Sequence, residues 1–327
     1  MKTRWPELPL IVILGPTAVG KTETALQLAE RLDGEIVSVD SRLFYRGLDI
    51  GTAKPGPADL ERVPHHLVNV AEPDQPWSLT RFQEEASRCI ADIHRRQRLP
   101  LLVGGTGQYI RAVIEGWTPP EQPADDGLRR VLEKWGEEIG RFELHRRLGI
   151  LDPQAASVID PTNLRRTVRA LEVIFSSGKR FSDQRGRRGS AYSVLQIGLT
   201  RPRAELYARI DARIEEMVKQ GLVEETRMLL EGGYSPSLPG LSAIGYREMI
   251  EVLEGNLSLE DAIRLMKRKT REYVRRQANW FKLDDPLIHC FTAGQPSVEE
   301  IESFIRSGQG WMLRKAQGQE DDGETLG

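Results

Sequence analysis

The chain has 327 residues, 39% of them hydrophobic and 29% charged, which suits a globular core with room for a smaller lobe and excludes a disordered chain. No apolar run reaches the roughly 18 residues of a membrane span. Its two cysteines, Cys89 and Cys290, lack ligand spacing, so neither a zinc site nor a disulfide framework is expected. The N-terminus has no long apolar segment with a small-residue cleavage site, and a reducing cytoplasm is the default location.

Leu10–Leu14 is an apolar run that ends at Gly15-Pro16-Thr17-Ala18-Val19-Gly20-Lys21-Thr22. That loop has the form G-x-x-x-x-G-K-[ST], whose backbone amides cradle phosphate oxygens, with Lys21 as a point charge and the Thr22 hydroxyl placed for Mg²⁺. The spacing predicts a helix over Thr22–Leu32 and a buried strand over Glu35–Val39 that ends at Asp40. Asp40 could ligate Mg²⁺ through water or act as a base, and it could equally cap a turn before Ser41. The following loop, through Arg42, Leu43, Phe44 and Tyr45 to Lys54, offers an aromatic pair and three basic residues, which suit a base-binding surface or an ordinary exposed loop.

Leu79–Gln97 reads as a helix and Leu99–Val103 as a strand running into Gly104-Gly105-Thr106-Gly107. That strand ends without an acid, which weakens an ATP-hydrolysis reading. Strands alternating with helices imply an α/β fold with a parallel sheet. The loops at Gly15–Thr22, Asp40–Ser41 and Gly104–Gly107 should then share one crevice at the carboxyl ends of the strands.

A Pro- and Asp-rich connector follows Trp117, then two helical stretches near Leu128–Leu148 and Pro161–Ser176, then a basic Gly/Ser-rich connector. We read 118–191 as a helical lobe inserted into a core formed by 1–117 and 192–315. A strand over Tyr192–Leu199 precedes helices over Ala204–Gln220, Val223–Glu231, Ala243–Glu254 and Leu259–Phe281. The acidic tail, 316–327, is expected to be disordered.

The net charge of −2 hides segregation. Arg264–Lys282 carries eight Lys/Arg against one Glu, and Thr162–Ser190 carries eight against Glu172 and Asp183. Such patches suit a polyanion bound at specific places, although a charged helix face is more often simply solvated. Arg165, Arg166 and Arg169 fall near one helical face, as do Arg264, Lys267, Arg268, Arg271 and Arg275, with Tyr273, Trp280 and Phe281 interleaved. Arg209 and Arg213, one turn apart, read by themselves as exposed charges. His65 and His66 read as structural.

Taken together, DSRLFYRGLDIGTAKP, VPHHLVNVAEP, LLVGGTGQYIRAVIEG, NLRRTVRALEVIFSSGK, LYARIDARIEEMVKQGLVEE, LSAIGYREM and TREYVRRQANWF resemble the signature blocks of bacterial tRNA dimethylallyltransferases. The blocks lie in order from about residue 10 to 282. Gln108 departs from the pattern, standing where an apolar residue is expected.

The resemblance implies transfer of a dimethylallyl group from dimethylallyl diphosphate to the exocyclic amine of the adenosine 3′ of the anticodon. Gly15–Thr22 would hold the donor diphosphate with Mg²⁺. Arg213 would face the diphosphate, and Asp40 would accept the amine proton. The tRNA anticodon stem-loop would meet Asp40, Ser41, Arg42, Leu43, Thr106, Arg129, Arg165, Arg166, Arg169, Gly245, Tyr246, Arg247, Arg271 and Arg275. Nothing demands an oligomer, so a monomer is expected. The rival readings are an adenine-nucleotide prenyltransferase, a small-molecule kinase, and a nucleotide-gated RNA-binding protein without catalysis.

Overall fold

The computed structural model describes residues 5–120, 125–278, 280, 285–294 and 298–311. Phe281 and the 316–327 tail lie outside them. Two compact units are present, one from Met1–Ile114 with Ser190–Gly327 and one from Glu115–Gly189.

The first unit begins β1 (Pro9–Leu14), α1 (Lys21–Leu32), β2 (Gly34–Ser38), α2 (Pro57–Arg62), β3 (His65–His66), α3 (Leu79–Arg95), β4 (Leu99–Gly104) and α4 (Gly107–Ile114). The second holds β5 (Trp117–Thr118), α5 (Asp126–Ile139), α6 (Arg141–Leu151), α7 (Pro153–Val158), α8 (Leu164–Ser177) and β6 (Gly186–Arg187). The first resumes with β7 (Ser193–Thr200), α9 (Arg203–Lys219), α10 (Leu222–Glu231), α11 (Tyr246–Leu253), α12 (Leu259–Gln277), β8 (Ile288–Thr292) and α13 (Val298–Ser307).

The sheet is parallel throughout, in the order β3-β2-β4-β1-β7-β8. Strands β1, β2 and β4 are almost wholly buried, which is why they read as continuous apolar runs without alternation. One apolar cluster packs Ile11, Ile13 and Leu101 with α1, α9, α11 and α12, and the other packs Leu10, Val12 and Leu102 with α3 and α4. Register then sets the chemistry. Leu14 pairs with Gly104 and Ser38 with Val103, so the three strand-end loops leave the sheet side by side.

In the second unit, the stretch expected as one helix near Leu128–Leu148 is two. Gly140, at φ 84°, breaks α5 from α6, a left-handed turn that glycine adopts without strain. Leu132, Leu144, Leu148, Val168 and Leu171 form this unit's own core. Glu172 is fully buried there and satisfied by Arg129 and Arg169, each at 3.1 Å, and by the Asp125 amide at 2.8 Å.

Candidate active site

The Gly15–Thr22 loop turns back on itself and into α1. Gly20 has φ 114°, and a Cβ at Gly15 would stand 2.6 Å from the Leu199 carbonyl oxygen, so both positions need glycine. Lys21 donates from Nζ to the carbonyls of Gly15 at 3.0 Å and Pro16 at 2.8 Å. Arg209 and Arg201 hold the carbonyls of Ala18 at 2.9 Å and Val19 at 3.2 Å. With its carbonyls engaged by cations, the loop leaves the first-turn amides of α1, which have no intrahelical partner, for an anion.

A cavity of about 660 Å³ covers this loop, lined also by Asp40, Leu43, Thr52, His65, Gly104, Gly105, Arg209 and Arg213. Burial pulls the Lys21 pKa down to about 8, with Asp40 opposing the shift and Arg213 adding to it. Burial likewise lowers the Arg213 pKa from its ordinary value, again opposed by Asp40. Arg213 donates to the Thr52 carbonyl at 3.3 Å.

A second cavity of about 400 Å³ is lined by Ser41, Arg42, Thr106, Tyr273 and Arg276 among others. The two cavities share four lining residues, Thr17, Asp40, Thr52 and Arg213. Asp40 occupies that junction. Its Oδ1 accepts from the Arg42 amide at 3.0 Å, which fixes the turn, and its carboxylate also borders both spaces. Thr106 lines the second cavity at the start of α4, its carbonyl accepting the amides of Tyr109 and Ile110.

Several expected contacts are corrected by burial. Phe44 is 0% exposed, stacked on Phe82 and Tyr109 with Trp77 tilted against it, while Tyr45 is buried; the aromatic pair is core and cannot meet a base. Tyr246 is also 0% exposed, and Gly245 is buried beside it, so neither can touch RNA directly. The Tyr246 hydroxyl donates to Glu225 at 2.5 Å, and the same carboxylate accepts from the amides of Asp49, Ile50 and Gly51 at 2.8–3.2 Å. Burial and then Glu225 push the Tyr246 phenol far up, so it stays a donor. Tyr246 thus supports the turn that presents Thr52.

Arg129 and Arg169 are occupied by Glu172, whereas Arg165, Arg166, Arg247 and Arg275 are exposed. On α12, Arg264 pairs with Glu260 and Asp261, Lys267 with Glu215, and Arg271 with Asp211, so the patch is less positive than its sequence suggests. Gln108 is exposed and lines neither of the two cavities that meet at Asp40.

Four features escaped the sequence reading. Gln277 is buried and reaches the glycine loop from α12. Arg201 clamps that loop, and His65 borders the first cavity. Arg203 and Tyr207 of α9 join the basic residues of α12 around a third cavity of about 440 Å³. Only Arg201 carried a visible signal, lying just past the carboxyl end of β7.

The IPP transferase family model matches residues 43–284, and the isopentenyl transferase model matches residues 8–68. This chain belongs to the IPP transferase family. Among its relatives, proteins named tRNA dimethylallyltransferase from Roseiflexus sp. (strain RS-1) and Chloroflexus aurantiacus (strain ATCC 29366 / DSM 635 / J-10-fl) are 50% and 49% identical, over 84% and 89% of this chain and 90% and 98% of theirs. The full-length tRNA isopentenylpyrophosphate transferase of Bacillus halodurans superposes with a TM-score of 0.70 at 40% identity, over 96% of this chain and all of that one. A eukaryotic dimethylallyltransferase whose structures capture it acting on tRNA gives 0.74 at 27% identity, over 92% and 77%. In this IPP transferase the glycine loop, Asp40 and Arg213 therefore sit within a family defined by prenyl transfer.

Proposed function

We propose that this chain is a tRNA dimethylallyltransferase that joins the dimethylallyl group of dimethylallyl diphosphate to N6 of the adenosine 3′ of the anticodon, releasing diphosphate. The observation that carries this reading is the meeting of two cavities at Thr17, Asp40, Thr52 and Arg213. One cavity is built for a phosphate and the other opens beside it, as a donor and an acceptor require.

The allylic C–O bond breaks as the N6–C bond forms. Negative charge then gathers on the leaving diphosphate, where Lys21, the first-turn amides of α1 and Arg213 stabilise it more than they stabilise the intact donor. The acceptor nitrogen sheds one proton, which Asp40 takes on Oδ2, since Oδ1 is engaged by Arg42. An adenine stacked in a loop cannot reach this depth, so it must flip into the second cavity, past Ser41 and Thr106.

Thr22 would hold Mg²⁺ by its hydroxyl and Asp40 through water; both line the first cavity. Among the described residues no cluster of three or more His, Cys, Asp or Glu forms a protein cage. A single hydroxyl and a single carboxylate fit a hard cation carried largely by phosphate oxygens. When bound, the ion neutralises diphosphate charge.

Exposed Arg165, Arg166, Arg247 and Arg275 would contact the tRNA anticodon stem-loop, and the protein would work as a cytoplasmic monomer. The test supplies labelled dimethylallyl diphosphate, Mg²⁺ and unmodified tRNA, with AMP and ATP as parallel acceptors. Label in an anticodon-loop adenosine is the expected result. Label only in free nucleotide, or ATP consumption without prenyl transfer, would overturn the reading.

A further inference from the structure

Gln277 is the last residue of α12 and is only 4% exposed. A buried primary amide needs partners for both of its ends. Its Oε1 accepts from the Thr17 amide at 2.9 Å, and its Nε2 donates to the Gly105 carbonyl at 3.1 Å. Gly105 fits this contact closely, because a Cβ there would stand 2.4 Å from Nε2. One side chain therefore bolts the loop after β1 to the loop after β4. Thr17 borders both cavities, Gly105 borders the first, and Thr106 beside it borders the second.

We infer that Gln277 is a positioning residue for the prenyl donor: it fixes the Thr17 amide and the Gly105 carbonyl, and so sets the shape of the diphosphate loop at the point where donor and acceptor cavities join. This rests on the donor reading of that loop. The bond also explains why a polar residue occupies the buried face of α12, otherwise formed by Ala262, Met266 and Val274. The contact is polarity-specific. An acceptor is required toward Thr17 and a donor toward Gly105, and only a neutral amide or a protonated acid of the same length supplies both.

The chemistry gives a test in two variants. Gln277→Met keeps the volume and removes both bonds. The donor KM should rise about tenfold, as expected for loss of a pair of buried hydrogen bonds, while the tRNA KM stays within about twofold of wild type. Gln277→Glu keeps the length and serves if the methionine variant does not fold. A deprotonated glutamate faces the Gly105 carbonyl with a second acceptor, whereas a protonated one restores the donor. At a position only 4% exposed and facing a carbonyl oxygen, burial raises the glutamate's pKa above its ordinary value, so the ratio of its donor KM to that of wild type should fall as pH is lowered from 8 to about 5.5.

A merely structural residue would move the melting temperature without that pH-dependent rescue. Donor KM values within twofold of wild type in both folded variants, or donor and tRNA KM rising together, would overturn the inference. Lys21→Met is run alongside. If it leaves the donor KM unchanged, the donor reading of the loop fails. If it raises that KM while the Gln277 variants do not, only the role of Gln277 fails.

Discussion

Asp40 and Arg213 each line both cavities, so a carboxylate and a guanidinium stand together where the two spaces meet. Their charges attract, since Asp40 opposes the burial that lowers the Arg213 pKa. Opposite charges at one junction suit a reaction that sheds a proton on one side and a diphosphate on the other. The two residues should therefore fail differently. Asp40→Asn keeps the turn's acceptor and loses the base, so kcat should drop about 100-fold or more with little change in donor KM. Arg213→Ala should raise the donor KM. Steady-state kinetics with each substrate varied separates the two, and an Asp40→Asn enzyme as fast as wild type would remove the base role.

Lys21 gives the site a pH dependence. Its pKa of about 8 in the free protein means that the cation needed for phosphate is lost as pH rises past that value. The kcat/KM for the donor reports free enzyme and should fall on the alkaline side of about pH 8. Bound diphosphate favours the charged form, so the corresponding limb in kcat should lie higher. Lys21→Arg should move the kcat/KM limb out of range. Because the folded pKa is below the ordinary 10.5, the unfolded chain binds more protons between those values. Stability from this group therefore increases with pH across that window, and Lys21→Met should flatten the rise in a pH series of denaturant melts.

The glycine loop and Asp40 were legible because local rules mark them: a fixed spacing in the first case and a strand end in the second. The parallel sheet followed from buried apolar runs. What stayed hidden depends on contacts distant in sequence. Gln277 lies 260 positions from Thr17, and nothing near it in the chain announces a loop to be held. Phe44 and Tyr45 were misread because an aromatic in a basic loop looks alike whether it faces RNA or the core, and Tyr246, placed at the RNA by the resemblance alone, is buried. Strand β8 escaped because an edge strand in which only Ile288 is buried, with His289 and Cys290 in it, has no continuous apolar run.

Glu225 and Tyr246 lie in two separate signature blocks and form a support that neither block shows by itself. The carboxylate gathers three backbone amides and the Tyr246 hydroxyl, and a Cβ on Gly51 would stand 2.6 Å from the Tyr246 ring. Tyr246→Phe should cost about 1–2 kcal/mol by removing a charge-assisted bond, lowering the melting temperature by a few degrees. Glu225→Ala should cost more, because it strips the amides as well. Both should raise the donor KM modestly through Thr52. Calorimetry and donor kinetics on the same samples check the order; a Glu225→Ala protein as stable as wild type would contradict the support.

In the inserted unit, the arginines divide by partner. Glu172 is fully buried, so removing Arg129 leaves a carboxylate with less compensation, and loss of one partner of a buried pair typically costs about 3–5 kcal/mol. Arg169 shares the load, which places Arg129→Ala toward the lower end. Exposed Arg165 and Arg166 have no such duty at Glu172. Arg165→Ala with Arg166→Ala should leave the melting temperature within about 2 °C, since single surface changes rarely exceed about 0.5 kcal/mol. If those two grip phosphate, the pair of changes should weaken tRNA binding and reduce the slope of log K against log salt by up to about 2. Arg129→Ala should instead lower stability first. Thermal melts and salt titrations of tRNA affinity, made on the same variants, tell them apart. An unchanged salt slope in the double variant would return Arg165 and Arg166 to the solvated face of an ordinary helix.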